Sequence, residues 1–311
     1  MNTSADYAFP QGLTWRAVSH AATDIFLLSK PRITAMIVVT GLSGMWLATR
    51  LGGAPIEWWR ALVTLAALAF VVSSANALNM YIERDIDGLM RRTKDRPLPA
   101  RRLPSPVALI FAFSWAAFAL PVLALAGGWL TAGLGAFSLV VYAFVYTPLK
   151  RVTTAALLIG AVPGAMPPLI GYVAVRQSID AAGLALFGVL FFWQVPHFLA
   201  IATFRREDYT RAGIKVTPEL KGVRVTRRQS IVHTVLLIAV SLSLVPLGVD
   251  GWLYPVAAVL LGLSFLVKAI GERRDVAKLE EEAHAVAWSK GLFFRSLIYL
   301  PALLAALMLS V

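Results

Sequence analysis

The chain has 311 residues, 58% of them hydrophobic and only 15% charged, with a formal net charge of +12 and a mean hydropathy of +0.71. Soluble domains run nearer half apolar and a quarter charged, so the composition describes an integral membrane protein. There is no cysteine, which excludes disulfides, thiolate metal sites and a cysteine nucleophile together.

In chain order, the first 30 residues hold no apolar stretch followed by a small-residue cleavage site. No secretory signal is expected, and residues 1–32 read as a retained cytoplasmic segment. A spanning helix needs roughly 20 mostly apolar residues. Nine such stretches follow, at about 33–50, 59–82, 105–126, 129–147, 153–174, 182–204, 230–247, 252–270 and 291–310. No stretch between them is long enough for a second domain, so residues 33–311 are expected to form one all-α transmembrane bundle. Of the 29 Lys and Arg, 25 lie before the first span or after even-numbered spans. By the positive-inside rule the N-terminus and the basic loops are expected in the cytoplasm and the C-terminus outside. The asymmetry suits an anionic substrate at the cytoplasmic face and gives no reason to invoke nucleic acid.

The second span runs into NALNMYIERDIDGLMRRTKDRPLP, residues 76–99. Asn79, Glu83 and Asp87 stand four apart, so on a helix they drift only about 40° per step and form a row about 12 Å long. Asp85 falls on another face. An amide oxygen and two carboxylates make a hard-oxygen set, suited to Mg²⁺ when a substrate's phosphates share the coordination. Arg92, Lys94 and Arg96 follow in a loop stiffened by Pro97 and Pro99, where cations suit a diphosphate. The plain alternative is a solvated helix end in which these acids pair with Arg84, Arg91 and Arg92. In the fifth span, GAVPGAMPPLIGY (160–172) predicts a broken or kinked helix lining a cavity, or else close packing through small residues.

The sixth span ends in WQVPHFLAIATFRREDYTRAGIK, residues 193–215. If one helix continues throughout, Asp208 falls about 20° from His197 and Gln194 about 60° from it. An apolar-flanked His is more often a hydrogen-bonded core residue than a ligand, and the alignment with Asp208 raises the odds of a site role. His20, His233 and His284 are assigned no role. Trp193, Phe198, Phe204 and Tyr209 are candidates to pack a flat substrate, with ordinary packing as the alternative.

These motifs resemble the UbiA superfamily of intramembrane prenyltransferases. The row N-x-x-x-E-x-x-x-D followed by RTKDRPL is similar to its first motif, with Glu83 where Asp is commoner. SKPRIT (29–34), VYTPLKRVT (145–153), GAVPGAMPPLIGY and WQVPHFLAIATFRREDYTRAGI (193–214) resemble the branch that farnesylates haem. Spans seven to nine match in hydropathy alone. Aromatic-substrate members carry a second D-x-x-x-D row, whereas here Phe204 stands four before Asp208. The segment after Arg151 also lacks an Asn common in the haem branch.

The resemblance implies a UbiA-type bundle of nine helices in a bacterial cytoplasmic (inner) membrane. The implied reaction moves a farnesyl group from farnesyl diphosphate to a vinyl of protohaem IX, with addition of water. Mg²⁺ is expected on Asn79, Glu83, Asp87 and Asp208, with Glu207 as a helper. Arg92, Lys94, Arg96, Lys150, Arg151 and Arg205 are the expected diphosphate cations, joined by Lys30 and Arg32. His197 is the expected haem ligand or proton acceptor, and it joins the Mg²⁺ donors as a catalytic candidate. A homo-oligomer, or assembly with a haem A synthase or terminal oxidase, is a further expectation. Two rivals are a quinone-ring prenyltransferase, which would predict an acid at 204, and a non-catalytic haem-binding protein or transporter.

Overall fold

The computed structural model describes residues 15–52, 55, 57–271 and 281–310, and all regular structure among them is helical. Helix α1 (Trp15–Leu28) lies within the segment read as an N-terminal tail and packs on α3 and α5. Helix α2 (Pro31–Arg50) starts at a proline, whose fixed φ and missing N–H suit the first turn. Then come α3 (Trp58–Ile82), the short α4 (Arg84–Asp87) and α5 (Ser105–Gly127). Helix α6 (Trp129–Val140) passes through a π-helical turn, Val141–Tyr146, into α7 (Thr147–Leu149). The rest are α8 (Ala156–Arg176), α9 (Ala181–Phe204), α10 (Arg206–Arg211), α11 (Thr217–Leu220), α12 (Gly222–Ser243), α13 (Leu253–Ile270) and α14 (Glu282–Ser310).

Among the described residues eight helices are long and apolar enough to cross a membrane: α2, α3, α5, the α6–α7 run, α8, α9, α13 and α14. The sequence led to nine. The difference is α12, which begins at Gly222 rather than 230 and so takes Arg224, Arg227 and Arg228 into its first turns. Those guanidinium groups lower its hydropathy below that of a fully apolar span.

Two apolar clusters organise the bundle. One joins α1, α3, α5 and α6 through Leu28, Ala77, Ala112 and Leu139. The other joins α8, α9, α12, α13 and α14 around Tyr172, Tyr254, Phe265 and Tyr299. Lipid is as apolar as leucine, so the inward faces are specified by small residues and by hydrogen bonds between helices rather than by hydrophobicity. Ser74 Oγ donates to the Ala112 carbonyl across α3 and α5 at 2.7 Å. Tyr254 OH donates to the Ser241 carbonyl at 2.9 Å, and Ser241 Oγ meets Tyr299 OH at 3.0 Å. Large apolar side chains such as Leu125, Trp129 and Leu260 point outward instead.

The expected break in the fifth span is absent. Helix α8 runs unbroken through Pro163, Pro167 and Pro168, and its small residues serve contact with α2. A Cβ on Gly44 would stand 1.9 Å from the Pro168 carbonyl oxygen, and one on Gly171 1.9 Å from that of Gly41. Backbone thus lies against backbone, which restores packing around the prolines. Helix α9 opens on an acceptor cap: Asp180 Oδ1 takes the amides of Ala182 and Gly183, each at 3.1 Å. Burial raises the Asp180 pKa, but those amides, Tyr172 and Arg176 outweigh it and hold the carboxyl below its usual range.

Candidate active site

Asn79, Glu83 and Asp87 are 2%, 5% and 1% exposed, an unusual degree of burial for two acids so close in sequence. Helix α3 ends at Ile82, and Glu83 itself has φ −95° and ψ 6°. The i, i+4 stagger survives this break because Glu83 N donates to the Asn79 carbonyl at 3.0 Å and Asp87 N to the Glu83 carbonyl at 2.8 Å. The row therefore faces inward as a unit, with Asn79 Nδ2 donating to Glu83 Oε2 at 2.9 Å. Asp85 points away and is exposed, 3.7 Å from Arg151.

Three cations meet the row, one for each member. Lys30 Nζ donates to Asn79 Oδ1 at 2.7 Å, Lys150 Nζ lies 2.5 Å from Glu83 Oε1, and Arg96 Nη1 lies 2.6 Å from Asp87 Oδ2. Lys30 reaches the row because its backbone is left-handed, φ 49°, between α1 and α2. Burial, followed by the like charges of Arg96 and Lys150, pushes its ammonium down to about 7 against the pull of Glu83 and Asp87. Lys150 also lies over the Tyr146 ring, 4.7 Å from its centroid. With Lys30 protonated, three positive groups facing two carboxylates leave an excess of positive charge, which suits an incoming polyanion.

The other expected cations take different places. Arg32, Arg92, Lys94 and Arg205 are exposed, Arg205 lying 5.8 Å over the Phe204 ring. Arg151 is held by Asp85 rather than by the row. Asp208 is half-buried on α10, 3.8 Å from Arg211. The single helix expected through residue 215 is interrupted: α9 stops at Phe204, and Arg205, at φ −113° and ψ 17°, separates His197 on α9 from Asp208 on α10. Glu207 is exposed. The α10 segment nevertheless covers the row's end: Ile86 and Met90 pack with Tyr209, Ala212, Ile214 and Val216, and Lys215 N donates to the Lys150 carbonyl at 2.8 Å.

Among the described residues no three of His, Cys, Asp and Glu gather into a metal site of their own. The donor chemistry at the row still fits Mg²⁺, which takes one or two carboxylates and completes its shell with water and substrate phosphate. Glu83 Oε1 is a buried carboxylate oxygen of the kind such an ion takes, and the ion would share it with the Lys150 ammonium.

His197 sits in an aromatic setting on α9. Its ring stacks on Trp193 with centroids 4.8 Å apart and lies tilted against Phe293 of α14 at 5.0 Å, with Phe198 edge-on at 5.3 Å. Its Nδ1 is 2.7 Å from Ser296 Oγ. Gln194 turns elsewhere, donating to the carbonyls of Ala161 and Leu190.

Several participants escaped the sequence reading. Thr147 Oγ1 accepts from Asn79 Nδ2 at 3.1 Å and donates to the Tyr142 carbonyl at 2.8 Å. The π-turn before it supplies this geometry, and such turns gather at functional sites; the only hint was Pro148, which removes a helix donor. Ser296 and Phe293 lie in a span that matched in hydropathy alone, and nothing local marks them.

A family model described as the UbiA prenyltransferase family matches residues 37–308. The chain is 47% identical over 288 residues to the protoheme IX farnesyltransferase of Anaeromyxobacter dehalogenans, covering 92% of this chain and 93% of that one. It is 47% identical over 290 residues to the protein of the same name in Myxococcus xanthus, covering 93% and 95%. Its fold matches a solved digeranylgeranylglyceryl phosphate synthase with a TM-score of 0.75 at 17% identity, over 93% of this chain and 98% of that one. A UbiA homolog from Archaeoglobus fulgidus bound to DMAPP and Mg²⁺ matches with a TM-score of 0.63 at 15% identity, over 89% and 99%. By its matched length, its relatives and its helical fold, the chain belongs to the UbiA prenyltransferase family.

Proposed function

We infer that this chain transfers a farnesyl group from farnesyl diphosphate to a vinyl group of protohaem IX, with addition of water, giving haem O. The observation that carries this reading is the buried Asn79–Glu83–Asp87 row with Lys30, Lys150 and Arg96 on it, in a chain so similar to protoheme IX farnesyltransferases. Phe204, in place of the acid expected of a quinone-ring enzyme, supports the same choice.

The allylic C–O bond breaks with its electron pair left on the diphosphate, and the vinyl π electrons attack the allylic carbon. The porphyrin-stabilised cation then takes up water, which loses a proton. Lys30, Lys150 and Arg96 stabilise the diphosphate as its charge grows, and Arg92, Lys94, Arg151 and Arg205 raise the positive potential at the rim. Asn79, Glu83 and Asp87, with Asp208 from α10, would hold Mg²⁺, which when bound neutralises the leaving group. His197 meets the haem. The apolar bundle shields the cation from early hydrolysis.

In this reading α12 completes nine crossings. The N-terminus, the row and the basic loops face the cytoplasm of a bacterial inner membrane, as the basic residues require. The test is to incubate purified protein with protohaem, Mg²⁺ and farnesyl diphosphate and weigh the extracted haem. A product heavier by one farnesyl and one hydroxyl is expected, and unmodified haem from folded protein would overturn the assignment.

A further inference from the structure

His197 and Trp193 on α9 are both tied to a single residue of α14. Trp193 Nε1 donates to the Ser296 carbonyl at 2.8 Å, and His197 Nδ1 lies 2.7 Å from the Ser296 hydroxyl. That hydroxyl is wholly buried and lies 2.6 Å from the Phe293 carbonyl oxygen. The proton inventory settles the direction of each contact. A carbonyl oxygen carries lone pairs only, so the 2.6 Å approach of two oxygens requires the serine proton between them. Its one proton spent, the hydroxyl can only accept at the 2.7 Å contact, and the proton there belongs to Nδ1. If serine instead donated to Nδ1, two oxygens would face each other at 2.6 Å with nothing between them.

We propose that Ser296 is a positioning residue which fixes His197 as the tautomer protonated on Nδ1, leaving Nε2 as the basic nitrogen that ligates the iron of the porphyrin substrate. This rests on the reading above that His197 meets the haem. Iron-binding imidazoles are oriented and made more basic by an acceptor on their other nitrogen. Here the acceptor is a hydroxyl whose own proton is committed to the backbone of the same helix. The Trp193 ring stacked on the imidazole and the Phe293 ring tilted against it hold its plane, so the Nε2 edge is the part left to the substrate.

Two measurements separate this proposal from the reading beneath it. Ser296→Ala removes the hydroxyl alone, because Trp193 is held by the backbone carbonyl. In protein labelled with ¹⁵N at its four histidines and free of haem, the signals lost in His197→Ala identify residue 197. Wild-type protein should show a protonated Nδ1 and an unprotonated Nε2, and Ser296→Ala should move both toward the tautomer average. An Nε2-protonated wild type, or no change in Ser296→Ala, would overturn the role of Ser296. Titration with ferric protohaem, followed at the Soret band, should show about 10–100-fold weaker binding for Ser296→Ala and loss of nitrogen ligation for His197→Ala. Unaltered binding by His197→Ala would remove the histidine from the haem, and the iron part of the proposal with it. Unaltered binding by Ser296→Ala alone would overturn only the serine's part.

Discussion

Glu83 receives Asn79 Nδ2 on one carboxylate oxygen and the Lys150 ammonium on the other. Glu83→Gln keeps the shape and removes the charge, so it should lower turnover by about 10²–10³-fold in a protein that still folds. Haem-product formation beside a detergent melting curve checks this, and retained activity would take Glu83 out of the site. Asp208→Asn is expected to lower turnover likewise, and an unaffected rate would leave Asp208 as a partner of Arg211 only. Lys30, with its pKa lowered to about 7 by burial and by Arg96 and Lys150, gives the site a pH dependence. The charged form binds diphosphate and is lost as pH rises through 7, so KM for farnesyl diphosphate should climb above that pH. Lys30→Arg, which stays charged, should flatten the climb. The row was legible in the sequence because a four-residue spacing is a local geometric fact. The prominence of Lys30 was not, since it depends on a left-handed backbone at one residue and on a contact 49 positions away.

Helices α2 and α8 meet backbone to backbone at Gly44 and Gly171. Gly44→Ala would drive a methyl into the Pro168 carbonyl and should cost about 1–3 kcal/mol, read as a lowered midpoint of thermal unfolding in detergent. Gly133 on α6 meets nothing within 4 Å of an added Cβ, so Gly133→Ala is the matched control and should leave the midpoint unchanged or slightly raised. An equal drop in both would mean that the α2–α8 approach is not tight. Helix positions were readable from hydropathy, but their ends were not. Glu83 and Arg205 each leave helical geometry, and at both the i, i+4 backbone bonds carry across the break. Residue types alone do not reveal where such a break falls.

At the scale of the molecule, the uneven distribution of Lys and Arg predicts which side each loop occupies. The absence of cysteine makes the chain a clean background for labelling. Ser178→Cys, between α8 and α9, should react with an impermeant maleimide added outside intact spheroplasts. Lys221→Cys, before α12, should react only in inverted vesicles. Both sites are exposed, and the opposite pattern would reverse the orientation. The aromatic seat of His197 shows what hydropathy misses at this scale, because its closing residues lie about a hundred positions downstream, in α14. That separation also imposes an order on synthesis. The carboxylate row and its cations are complete once residue 150 has left the ribosome, while Trp193 and His197 must wait for residue 296. A nascent chain thus assembles the row and its three cations before Asp208 and the imidazole are in place, and insertion of the last helix becomes the step that matures the second half of the site.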